Sequence, residues 1–120
     1  MTFRNRDYLA FVRAQACCVT FSTYGVVAAH VRIGGDGGMG LKPSDYRAVP
    51  LTELEHRRQH AVGERTFWRD AGVDPLRVMR DLMFRYAREK FGVILGDTAS
   101  SEPARQVDEL VRAVEALRNL

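Results

Sequence analysis

The sequence predicts an α+β domain in which a β-hairpin carries a helix and further helices flank that unit. Three observations lead there. The stretch Val26-Val27-Ala28-Ala29-His30-Val31-Arg32-Ile33 is β-branched and apolar enough to be a strand. A loop over residues 34–40, in which five of seven residues are glycine, separates it from a second strand-like stretch at 46–51. From residue 52 the pattern turns helical and, apart from a polar break at 96–103, stays so to the end.

Taken in order, residues 6–15 predict a short helix with Leu9 and Val12 on one side and Tyr8 and Phe11 beside them. Thr52, with Glu55 three residues on, forms a capping box for a helix over 53–62 that ends near Gly63. Residues 64–70 supply one or two more turns. Asp74-Pro75 is an N-cap followed by proline at the first helical position, and Leu76, Met79, Met83 and Tyr86 then trace a helical stripe. Val107, Leu110, Val111, Val114 and Leu117 share one face of a last helix. The expected division is a domain over 1–95, a linker over 96–103 and an amphipathic helix over 104–120.

A chain of 120 residues suits one core. Its formal net charge of +3 permits nucleic-acid binding without establishing it. No apolar run approaches the ~20 residues of a membrane span. The opening Met-Thr-Phe-Arg-Asn-Arg-Asp lacks the apolar core of a secretory signal, so a cytoplasmic location is expected. Cys17 and Cys18 are adjacent, which argues against a disulfide scaffold and cannot provide a four-thiolate zinc site. They read as small hydrophobes.

All three histidines fall in the strand–loop–strand–helix segment. His56 and His60 are four apart, so both imidazoles project from one helix face and can share one cation. The zinc-protease motif is excluded because arginine, not glutamate, follows His56. Alone, such a pair is more often two surface histidines. His30 on an apolar strand and the glycine-rich basic loop shift the balance toward a site.

The residues Val27-Ala28-Ala29-His30-Val31-Arg32, Gly38-Met39-Gly40-Leu41-Lys42-Pro43-Ser44-Asp45, Val49-Pro50-Leu51, His56 and His60 together resemble phage and prophage HNH nucleases. The most similar group is that of the phage recombination-enhancement nucleases, which Gly63-Glu64-Arg65-Thr66-Phe67-Trp68 and Gly72-Val73-Asp74-Pro75 also resemble. The resemblance covers roughly residues 6–90. It implies a ββα-metal (HNH, or His-Me finger) core and a metal-dependent DNA endonuclease. Position by position, it implies that His30 activates water, that Asp45 stands where the family's orienting asparagine falls, and that His56 and His60 bind metal. Two departures stand out. The family's paired zinc cysteines would fall near Cys18, Thr20, Thr52 and Glu55, so no structural zinc is expected. Ala29 stands where the family's strand carries its first metal ligand, which leaves the site one ligand short.

The implied reaction is phosphodiester hydrolysis, with neutral His30 as general base and one divalent cation (Mg, Mn, Ni or Zn) on His56 and His60. Arg32, Lys42, Arg47, Arg57 and Arg58 are candidates for neutralising DNA phosphates, Arg32 foremost because it lies two residues from His30 on the same strand face. Glycines 34, 35, 37 and 38 would let loop amides approach the DNA backbone, and an ordinary flexible loop explains them equally well. DNA is the expected partner, with no membrane. The resemblance also raises a recombinase-coated filament, and a homodimer is left open. Two rivals remain: a DNA-binding module that has lost catalysis, and a partner-binding protein that keeps the scaffold.

Overall fold

A computed structural model of the chain describes residues 2–35 and 42–120. The order is helix α1 (Arg6–Arg13), strand β1 (Val26–His30), a 3₁₀ turn (Asp45–Arg47), strand β2 (Ala48–Thr52), and helices α2 (Glu53–Val62), α3 (Glu64–Ala71), α4 (Pro75–Phe91) and α5 (Pro103–Arg118). The strands form an antiparallel pair in which Val26 faces Thr52, Ala29 faces Val49 and His30 faces Ala48. The expected α+β class, a hairpin followed at once by a helix with further helices around it, is what the chain adopts.

Most elements end where their capping chemistry dictates. The Asn5 side chain accepts the Tyr8 amide and opens α1. Thr52 accepts the Glu55 amide, but the reciprocal half of the capping box is replaced by an ion pair from the Glu55 carboxylate to Arg58 at 3.0 Å. The Asp74 side chain accepts the Leu76 amide at the start of α4, and Gly72 and Gly92 close α3 and α4 in the left-handed conformation.

Both strands differ from the expected spans. β1 stops at His30 rather than residue 33. The Val31 amide still reaches the Arg47 carbonyl, but the Arg32 amide is taken by the Glu64 carboxylate at 2.9 and 3.1 Å. The Gly35 amide then closes a turn onto the Arg32 carbonyl at 2.8 Å, with Gly34 at φ +64°. β2 begins at Ala48 rather than residue 46 because residues 45–47 wind into the 3₁₀ turn, all three of them buried. Gly37 and Gly38 lie outside the described residues.

The core joins every layer. Tyr8 and Val12 of α1, Ala29, Val49 and Leu51 of the hairpin, Met79 and Met83 of α4, and Val107, Leu110, Val111 and Val114 of α5 belong to one buried cluster. Tyr8 is its hub, with ring centroids 4.8 Å from Tyr86 edge-on and 5.0 Å from Tyr46. α5 begins at Pro103 and spends its apolar face on α4 and this cluster, so the last helix is part of the core rather than an appendage. Truncating Leu110 to alanine should therefore cost about 2–4 kcal/mol in urea unfolding, as a buried Leu→Ala change does, within one cooperative transition. A separate early transition for the last helix would contradict it.

Candidate functional site

His30 ends β1, and its Nε2 lies 2.9 Å from Oδ1 of Asp45, the first residue of the 3₁₀ turn. Asp45 is almost fully buried, with 3% of its side chain exposed, yet it is not short of donors. Arg4 Nη1 reaches the same Oδ1 at 3.1 Å, and the Asn5 amide donates to Oδ2 at 2.7 Å. Residues 3–5 form a strap across this turn. The Phe3 amide donates to Ser44 Oγ at 2.9 Å, and the Asp45 amide donates to the Phe3 carbonyl at 2.9 Å. Arg4 also donates to the carbonyls of Pro43 and Lys42.

The electrostatics follow from this packing. Burial alone would raise the Asp45 carboxyl's pKa, but the hydrogen bonds from His30, the Asn5 amide and Arg4 outweigh it and hold the carboxyl below its ordinary 3.8. Burial lowers the pKa of His30 below its ordinary 6.5. The bond to Asp45 opposes that shift, and the charges of Lys42 and Arg4 reinforce it. At neutral pH His30 is therefore neutral. Its Nε2–H donates to Asp45 and its Nδ1 lone pair is left available.

His56 and His60 project from one face of α2 with their Nε2 atoms 3.1 Å apart and ring centroids 4.7 Å apart. His56 has its pKa lowered by burial, then by the nearby His60 and His30. Two imidazole nitrogens on one tetrahedral cation, each at ~2.0–2.1 Å, stand roughly 3.3 Å apart, so the observed spacing fits a shared ion. Among the described residues no group of three His, Cys, Asp or Glu side chains joins to complete a metal site.

The other candidates divide. Lys42 is exposed and near enough to His30 to affect its pKa. Arg32 is exposed but lies beyond the end of β1, so strand alternation no longer places it on His30's face. Arg57 is exposed, about 60° round the helix from His60. Arg58 is about 160° from His60, on the far side of α2, and is paired with Glu55. Arg47 does not serve as a DNA-facing cation. Its side chain is 0% exposed, ion-paired to Asp108 of α5 at 3.2 Å and hydrogen-bonded to the carbonyls of Ile33 and Gly34. A guanidinium enclosed in this way has no surface to offer a phosphate.

Ala29 is 1% exposed and sits in the core cluster, on the strand face opposite His30. Of the two cysteines it is Cys17 that turns toward Thr20 and Thr52. The Thr20 amide lies 3.4 Å from Cys17 Sγ, and although burial opposes it, hydrogen bonds from Thr20, Val19 and Thr52 lower the thiol's pKa. Cys18 is pushed up to about 12 by burial and by Cys17.

Sequence reading missed Arg4 and Asn5. They are about forty residues from Asp45 along the chain, and no local spacing marks them as partners.

The fold and site define an α+β domain with a β-hairpin, a part-buried His–Asp pair and a following helix that carries two further histidines. The chain belongs to the family described as protein of unknown function (DUF968), whose profile matches residues 1–88. No curated protein and no solved structure matches it.

The donor set explains why position 45 is an aspartate. Three donors fall on two oxygens, and an amide could satisfy only one of those positions while turning its NH₂ toward the Asn5 amide. Asp45→Asn should lower stability by about 1–3 kcal/mol at neutral pH. A thermal or urea melt checks this. Because the folded-state pKa is depressed, Asp45's contribution is present above its unfolded pKa and disappears as pH falls through the folded value, so the wild-type advantage should vanish in acid.

Proposed function

We propose that the chain is a metal-dependent DNA endonuclease of the HNH (ββα-metal) type, hydrolysing phosphodiester bonds. The observation that carries this reading is the pairing of a neutral, oriented His30 with converging Nε2 atoms of His56 and His60, all on one hairpin–helix unit. The residue pattern that resembles HNH nucleases spans the same unit.

In this mechanism His30 accepts a proton from water at Nδ1 as the oxygen attacks phosphorus. Asp45 holds the ring through Nε2, fixes its tautomer and stabilises the imidazolium that forms. His56 and His60 would hold one divalent cation, and Lys42 and Arg57 stand where they can meet phosphates. A cation bound there supplies Lewis-acid stabilisation of charge on the scissile phosphate and leaving oxygen. With two protein ligands, affinity for it should be modest.

That short ligand set also favours a second reading, a DNA-binding module with little or no cleavage. Ala29 faces the core, so the strand offers nothing at that position. Plasmid nicking with Mg, Mn, Ni or Zn, run beside a mobility-shift assay, separates the two. Nicking supports the nuclease, and a shift without nicking supports the binding module.

His30→Ala should abolish nicking while leaving DNA affinity and the fold intact, because Asp45 keeps two of its three donors. Equal nicking by variant and parent would refute the base assignment. Since the active form of His30 is the neutral one and its pKa is lowered, the acid limb of the wild-type rate profile should fall below pH 6.5. In calorimetry, His56→Ala and His60→Ala should each remove divalent binding. Unchanged binding in both would show that the pair is only a surface feature.

A further inference from the structure

We propose that the open groove between α1, α4 and the end of α5 carries the phosphodiester backbone of DNA away from the His30 site. The proposal rests on the DNA reading of that site and extends it by naming the path of the substrate. The groove encloses about 580 Å³. Arg4, Arg6, Lys90 and Arg118 line it against a single carboxylate, Asp7. Three of the four are ion-paired, Arg4 with Asp45, Lys90 with Asp7 and Arg118 with Glu115, but Asp45 and Glu115 are only 3% and 14% exposed, so among the described residues the face that solvent meets presents mainly the cations.

Asp7 offers little opposition. Its carboxylate accepts the Tyr86 hydroxyl at 2.7 Å and lies 3.3 Å from Lys90 Nζ, and those partners lower its pKa. Glu115, behind the groove, is occupied by Arg118 at 2.7 Å and by the Tyr46 hydroxyl at 3.1 Å. The cations remain within reach of solvent. Side-chain exposure is 46% for Arg4, 51% for Lys90 and 39% for Arg118, and Arg6 is exposed as well.

Arg4 joins this groove to the site. One guanidinium touches the Asp45 carboxylate that holds His30, and the Arg4 carbonyl accepts Arg118 Nη1 at 2.7 Å. A strand whose scissile phosphate sits at His30 would then run past Arg4 onto Arg6, Lys90 and Arg118. Repeated phosphates are the chemistry that matches a row of exposed cations whose own carboxylate partners lie mostly behind them.

The test is fluorescence anisotropy of a labelled DNA duplex, in EDTA so that no cleavage occurs, with salt titrated upward from 50 mM. The double variant Arg6→Ala/Lys90→Ala should bind more weakly. Its slope of log K against log salt should be shallower by about 1.8, at about 0.9 per lost phosphate contact. Arg69→Ala/Arg105→Ala removes two cations outside the groove and should leave the slope unchanged. Should the first pair disturb folding in a thermal melt, Arg6→Ala alone should change the slope by about 0.9. An unchanged slope in the groove variants, or an equal change in the control, overturns the groove while leaving the DNA reading intact. Absence of wild-type binding at 50 mM salt overturns both.

Discussion

The Asp45 carboxylate is the constraint on which the rest of this structure depends. It is an anion with almost no access to water, and such a group persists only where donors replace its hydration. The donors come from two distant segments: Arg4 and the Asn5 amide from the start of the chain, and His30 from the end of β1. Satisfying one carboxylate thus fixes where α1 begins, how the first strand ends and which way His30 faces. The adjacent residues extend the effect. Tyr46 packs on Tyr8 and its hydroxyl bridges Asn5 and Glu115, while Arg47 reaches Asp108. One 3₁₀ turn therefore connects α1, the hairpin and α5.

The hairpin's two-residue period then divides its tasks. Ala29 and Val49 form part of the core, and His30 is left on the other face with Asp45. Alanine at 29 is what a small core position beside Val49 accommodates, and an imidazole there would meet apolar neighbours. On α2 the same separation appears with a helical period. His56 and His60 share one face, and Glu55, buried and tied to Arg58, holds another.

What could be read in the sequence was what local chemistry determines. The span of α2, its Thr52 cap and the Asp74-Pro75 start of α4 all rest on short-range rules, and they hold. The end of β1 did not follow, because it depends on Glu64 taking the Arg32 amide from thirty-two residues away, and β2 starts late because residues 45–47 wind into the buried 3₁₀ turn. At the site, the His56–His60 convergence was legible from spacing and the His30–Asp45 contact from a family pattern. Arg47 misled because charge alone suggests solvent. Only the fold reveals that its partners are Asp108 and two loop carbonyls. Arg4 and Asn5 carried no signal, since their importance comes from the distant residue they bind.

The strap over residues 3–5 has a consequence for how the molecule comes together. Bringing residue 5 to residue 45 closes a loop of about forty residues, an entropic cost on the order of 3 kcal/mol. Tertiary packing of Tyr8 and Val12 must offset that cost before the contact is stable. Without that contact Asp45 lacks two of its three donors and keeps only His30. The full donor set of Asp45 is thus a property of the assembled tertiary structure, and no fragment lacking residues 3–5 would contain it.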